Sequence, residues 1–134
     1  MNLPVPALNA DSKPFWEAAR ASRLLIKQCD ACMRPFFPPR HLCPFCWSDK
    51  TLWIESRGTG TIYSYTVIHR APAPEFSGRG PYVVALVDLA EGPRVMANIV
   101  GAGALEAAVG DRVKLCFEER GEGWKVPQFE RSAS

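Results

Sequence analysis

The sequence predicts a mainly β chain: an N-terminal helix, a metal-binding ribbon and a C-terminal five-stranded barrel of the OB type. Three observations carry that prediction. Two Cys-x-x-Cys pairs, Cys29/Cys32 and Cys43/Cys46, stand ten residues apart, which is the spacing of a zinc ribbon. From Thr51 onward the apolar residues recur with period two, the signature of half-buried strands. A single helical turn falls between the third and fourth of those strands, which is the outline of an OB fold.

Taken in order, Met1–Ala10 is proline-rich and reads as an extended arm. Asp11 or Ser12 can cap a helix, with Pro14 in the first turn, where a missing N–H costs little. Phe15, Trp16, Ala19 and Leu24 give that helix an apolar stripe near helical spacing. Two readings of the stripe stand open: packing on the chain's own ribbon, or docking a partner, since Phe15 and Trp16 are large for a peripheral helix. Leu24–Lys27 then enters the first knuckle as a short strand.

Within CDACMRPFFPPRHLCPFC, from Cys29 to Cys46, each pair forms a tight knuckle and the insert turns the chain so that the knuckles face each other. Four thiolates satisfy zinc tetrahedrally and leave no vacant corner for a substrate, so the metal is structural. Iron in a rubredoxin-type site has the same four-sulfur chemistry and is left open by the spacing. Two disulfides would need an oxidising compartment, no secretory leader precedes the segment, and a reducing cytoplasm is the expected setting. With four cysteines available, His41 is expected to be a solvated loop residue. One of Phe36 and Phe37 is expected to fill the ribbon's small core. Trp47 stands where many knuckles place a glycine, which puts the local backbone in doubt.

The expected strands are Thr61–Ile68, Tyr82–Leu89, Arg94–Val100, Asp111–Glu118 and Trp124–Phe129. Glu91-Gly92-Pro93 and Gly121-Glu122-Gly123 mark hairpins, and Ala104–Val109 is the helical turn, closed by Gly110. Val113, Leu115 and Phe117 should face inward, leaving Cys116 a semi-exposed, passive thiol on the face of Lys114 and Glu118. The natural division is residues 1–50 for arm, helix and ribbon, and 51–134 for the barrel.

Charge and motif content weigh against nucleic-acid binding and catalysis. The formal net charge is +2, and one Zn²⁺ held by four thiolates lowers it by two, to about zero. Residues 51–134 carry nine Lys and Arg against ten Asp and Glu, a poor grip for phosphates. The strands that would stack bases, YVVALVDL and RVMANIV, offer one tyrosine and one arginine. The histidines are His41 and His69 alone, with no paired carboxylates at helical spacing, no G-x-S-x-G and no phosphate-cradling glycine loop. No apolar run reaches the ~18 residues needed to span a bilayer.

The ordered motifs PFWEAA, the four cysteines with PPR, GTGTIYSYTVIHRAPAPEF, PYVVALVDLAEGPRVMANIVG, VGDRV and VPQFE together cover nearly the whole chain. In that combination the sequence resembles the acyl-CoA-associated zinc-ribbon/OB-fold family called domain of unknown function thirty-five. It departs at Met33 and Trp47, where the family usually has glycine. The resemblance implies a rubredoxin-like ribbon with structural zinc before the OB fold. It also implies a non-catalytic accessory subunit, binding acyl-CoA or helping to form the CoA-thioester site of a partner enzyme. The partner would be thiolase-like, hydroxymethylglutaryl-CoA synthase-like, or a MaoC-like hydratase or aldolase. The alternative function is a single-stranded nucleic-acid-binding OB module. Expected ligand or partner contacts are Phe15 and Trp16 on the helix, and Phe76 and Arg79 in the loop Ala71–Pro81. There, a guanidinium would suit a CoA phosphate and the phenylalanine would anchor a partner.

Overall fold

In the computed structural model, which describes residues 6–69 and 80–132, helix α1 spans Lys13–Arg20 with Ser12 as its N-cap. The Ser12 side chain faces back rather than into the helix: its Oγ accepts the Asn9 N–H at 3.3 Å, while Asn9 Oδ1 accepts the Ser12 N–H at 2.9 Å. The helix stops where Ser22 turns left-handed, φ 61°. The Ser22 N–H then reaches the Ala19 carbonyl and the Arg23 N–H the Ala18 carbonyl, each at 2.9 Å, a Schellman ending. Leu24 therefore lies beyond the helix and is no part of its stripe. Phe15, Ala18 and Ala19 are buried, and the helix packs chiefly on the last barrel strand rather than on the ribbon alone. Its C-terminal end is pinned there by the Arg20 guanidinium, 4.5 Å above the Trp124 ring, and by Lys125 Nζ donating to Ser22 Oγ at 2.9 Å.

The ribbon is a three-stranded antiparallel sheet of β1 (Leu25–Cys29), β2 (Pro35–Phe36) and β3 (Thr51–Glu55), ordered β2-β1-β3. β3 pairs with β1 along its whole length, from Leu25 opposite Glu55 to Cys29 opposite Thr51. β3 thus belongs to the ribbon's sheet, and Ser56–Gly58 leads from it into the barrel. That linker is held by one carboxylate. Glu91 accepts the Ser56 hydroxyl and the Arg57 N–H, both at 2.8 Å, and Ser56 Oγ in turn accepts the Gly58 N–H at 3.1 Å. Gly58 has φ 76°, and a Cβ there would meet Leu115 Cβ at 2.7 Å, so only glycine fits.

The barrel comprises β4 (Thr59–Ile68), β5 (Tyr82–Leu89), β6 (Arg94–Val100), β7 (Arg112–Gly121) and β8 (Trp124–Arg131). It closes in the order β4-β5-β6-β8-β7. β6 and β8 run parallel and every other pair antiparallel, which is the OB topology the strand pattern predicts. All five strands fall where period two puts them. The helical turn is shorter than expected, a 3-10 turn over Ala104–Glu106. Val113 is buried, whereas Leu115 and Phe117 are only half-buried.

The β6–β8 seam is the barrel's thinnest closure, with backbone pairing only at Ile99–Phe129 and Val100–Glu130. Side chains extend it. Gln128, 2% exposed, accepts the Asn98 N–H at 2.7 Å and donates to Asn98 Oδ1 at 3.1 Å. Asn98 Nδ2 passes the network on to the Val83 carbonyl at 3.0 Å. Gln128 thus takes the place of a strand's backbone, and among the described residues no buried side-chain N or O atom is left unpaired. One apolar core runs through both halves: Phe15, Leu24 and Ile26 join Ile62, Val83, Val87, Val113 and Phe129. Phe37 joins it with its ring 5.4 Å from that of Phe15, whereas Phe36 packs among the cysteines.

Candidate metal centre and exposed barrel face

The two knuckles are built alike. In the first, the Met33 N–H bonds the Cys29 carbonyl at 2.9 Å, and the Ala31 and Cys32 N–H groups each donate to Cys29 Sγ at 3.3 Å. In the second, the Trp47 N–H bonds the Cys43 carbonyl at 2.9 Å, and the Phe45 N–H donates to Cys43 Sγ at 3.3 Å. Both chains then turn through a left-handed residue, Met33 at φ 66° and Trp47 at φ 67°. These are the positions at which glycine is the unstrained choice. Methionine and tryptophan adopt the left-handed turn in glycine's stead, and their side chains are carried out into solvent, with Trp47 74% exposed.

The four Sγ atoms lie within 4.8 Å of one another, with Cys29–Cys46 at 3.5 Å and Cys32–Cys43 at 3.7 Å. Zinc–sulfur bonds of about 2.3 Å set tetrahedral edges of about 3.8 Å, so the cluster fits that ion, and no disulfide competes for the sulfurs. Electrostatics agree. The Cys32 amide, with that of Ala31, draws the Cys29 thiol down to about 7 against its own burial. Cys46 is pushed the other way: although the Ser48 amide lowers it, the Cys29 thiol, burial and the neighbouring Cys43 and Cys32 hold it up at about 12. Four adjacent sulfurs cannot all shed their protons unless a cation compensates them. With all four positions filled by cysteine, zinc here supplies folding energy and no reacting site. The His41 imidazole takes no part, and only its carbonyl is used, by the Thr51 hydroxyl at 3.4 Å. Cys116 is half-buried, and burial first, then Glu130 and Glu118, raise its thiol pKa, the opposite of a nucleophile's tuning.

On the barrel, β5 and β6 turn an unusually apolar face outward. Met96 is 72% exposed and stands opposite Leu86, with Val84 and Tyr82 further along β5. A groove of about 290 Å³ runs between this face and β8, with Tyr82, Met96, Asn98, Arg120 and Val126 in its walls. Arg120 Nε is paired with Glu118 at 2.8 Å. Sequence reading passed over this face. The signal available was Met96 itself, an apolar residue in register with Arg94 and Asn98 on the solvent side of an alternating strand.

The expected contact residues separate. Phe15 is buried in the common core, edge-on to Trp16 with ring centroids 4.8 Å apart; Trp16 is half-buried and keeps part of its ring at the surface. Phe76 and Arg79 lie outside the described residues. No helix among the described residues is long and apolar enough to cross a membrane.

Comparison with known proteins agrees with this geometry. Residues 16–51 match the family model described as ChsH2, rubredoxin-like zinc ribbon domain, and residues 53–118 match ChsH2, C-terminal OB-fold domain. A probable enoyl-CoA hydratase alpha subunit from Thermomonospora curvata is 41% identical over 126 residues. That match takes in 94% of this chain but 39% of the relative, so the chain spans about two fifths of that subunit's length. A DUF35 domain-containing scaffold protein from Methanothermobacter thermautotrophicus is 41% identical over 98 residues, 72% of this chain and 73% of that one. Among solved structures, a chain of the Ltp2-ChsH2(DUF35) aldolase superposes with a TM-score of 0.83 at 40% identity, covering 94% of this chain and 98% of that one. With the four-cysteine ribbon, the OB barrel and these matches together, the chain belongs to the DUF35 family, of the ChsH2 type.

Proposed function

We propose that this chain is a non-catalytic accessory subunit of a CoA-thioester enzyme, docking its catalytic partner and helping to form the acyl-CoA site. The observation that carries the reading is the exposed apolar face around Met96, beside the groove lined by Tyr82 and Arg120. A solvent-exposed methionine amid aliphatic neighbours on a rigid sheet is the chemistry of a surface that is covered in use. Nothing in the metal centre can react, and Ser56, whose hydroxyl donates to Glu91, is buried in the linker with that bond holding the chain in place. The hydratase, scaffold and aldolase names of the similar proteins point to the same role. Phe76 and Arg79 stand in sequence between β4 and Tyr82, the residue that opens β5 at the groove, so those two residues belong to the proposed contact set together with Trp16. The test is affinity isolation of the tagged chain from its native cells, with mass spectrometry of whatever co-purifies. A stoichiometric hydratase, thiolase-like enzyme or aldolase is expected with the native chain, and its loss with Met96→Glu, which should leave stability within about 0.5 kcal/mol. A chain that purifies alone and binds single-stranded oligonucleotide tightly at physiological salt would overturn the reading.

A further inference from the structure

At the opposite end of β5 from that groove, β4 closes the barrel against β7 through the pairs Thr59–Lys114, Gly60–Val113 and Thr61–Arg112, extended by backbone bonds from Leu115 to Gly58 and from Ile62 to Asp111. A cleft of about 630 Å³ opens along this seam, with Thr59, Thr61, Arg112, Lys114 and Ser132 among its lining residues. Val113 is buried in the barrel, so Arg112 and Lys114 on either side of it face outward and are exposed. Two positions apart on a strand, they stand about 6–7 Å from each other along the chain, and each has a threonine directly across the strand pair.

The other described cations of the barrel are engaged. Arg57, Arg94, Arg120 and Arg131 are paired with Glu91, Asp88, Glu118 and Asp111, and Lys125 donates to Ser22. Arg112 and Lys114 make no ion pair with a described carboxylate. The nearby acids are engaged elsewhere or unpaired with them: Asp88, itself in the cleft wall, is bound by Arg94 at 2.6 Å, Asp111 by Arg131 at 3.0 Å, and Glu130, directly across from Lys114 on β8, forms no ion pair with it. The cleft therefore combines two cations that make no ion pair with a described carboxylate with three hydroxyl donors, at a volume typical of small-molecule sites. It contains no aromatic ring on which a base of a nucleic-acid strand could stack.

We infer that this cleft binds the diphosphate of a nucleotide-type small molecule, Arg112 taking one phosphoryl group through its fork and Lys114 the other as a point charge. Such a division of labour follows from the two side chains: guanidinium matches phosphate oxygens bidentately, and ammonium offers compact charge. Thr59 and Thr61 supply hydroxyl donors to the same anion. CoA and free ADP both carry this group, and the inference holds for either. It stands independently of the docking face at the other end of β5.

The test is an amide-resolved NMR titration of the zinc-loaded full chain at low salt with pyrophosphate, ADP, CoA and pantetheine. Saturable shifts are expected at Thr59, Thr61, Arg112, Lys114 and Ser132 with the three diphosphates and none there with pantetheine. The paired substitution Arg112→Gln and Lys114→Gln should weaken binding about tenfold or more. CoA much tighter than ADP would identify the source as CoA, and equal affinity as the shared nucleotide diphosphate. Absence of saturable shifts at these amides, undiminished affinity in the double variant, or an oligonucleotide competing as well as ADP would overturn the inference. CoA shifting only Tyr82, Met96 and Asn98 would sink this cleft while leaving the accessory-subunit reading in place.

Discussion

Gln128→Leu tests whether a side chain closes the barrel. The native amide takes the Asn98 N–H at 2.7 Å and returns a bond to Asn98 Oδ1 at 3.1 Å, from a site 2% exposed. Leucine has similar bulk but neither donor nor acceptor. Its introduction leaves one backbone N–H without its partner, at about 1–3 kcal/mol, and removes a second hydrogen bond of about 1 kcal/mol. Some of that is offset by apolar burial, so the expected loss is about 2–3 kcal/mol, a large share of the ~5–15 kcal/mol that domains of this kind possess. Urea unfolding followed by tryptophan fluorescence should show a lower midpoint with an unchanged slope, and zinc content should stay at one per chain. A loss below about 0.5 kcal/mol would refute the reasoning, because it would mean that water satisfies Asn98 as well as Gln128 does.

Four further outcomes follow from the ribbon and the linker. Cys43→Ser removes a fully buried sulfur, and should abolish stoichiometric zinc by elemental analysis and leave the ribbon open to protease; acidification should release zinc from the native chain as the thiolates take up protons. Trp47→Gly relieves a left-handed residue at φ 67° whose side chain touches little, and should raise thermal stability by about 0.5–1 kcal/mol after the entropy of the added glycine. Gly58→Ala puts a Cβ 2.7 Å from Leu115 at φ 76°; about 2–4 kcal/mol should be lost, read by the unfolding midpoint.

Most of the backbone plan was legible in the sequence, for identifiable reasons. The strands of the barrel alternate cleanly because one face is buried, and Val83, Ala85, Val87 and Leu89 are all buried as that alternation requires. The metal site was legible because its chemistry is local: two pairs of cysteines fix two knuckles, and they do so even with methionine and tryptophan at the left-handed positions. What could not be read is what depends on contacts between distant segments. Thr51–Glu55 looks like any other alternating strand, and only its pairing with β1 assigns it to the ribbon. Leu24 continues a helical spacing, but Ser22 ends the helix first. Glu91 marked a turn, and nothing in its neighbours announced that it would hold Ser56 and Arg57, 35 and 34 residues away. Phe15 and Trp16 were distinguishable only by which side of α1 meets the barrel, and that side buries Phe15.

The central claim, that the chain serves the active site of another subunit, is tested most directly by reconstitution. The catalytic subunit that co-purifies with this chain should be assayed on its acyl-CoA substrate alone, with the native chain, and with Met96→Glu. No turnover by the chain itself, low turnover by the isolated partner, and full turnover only when the native chain is restored are expected. A partner that turns over its substrate equally well with and without the chain would contradict that claim.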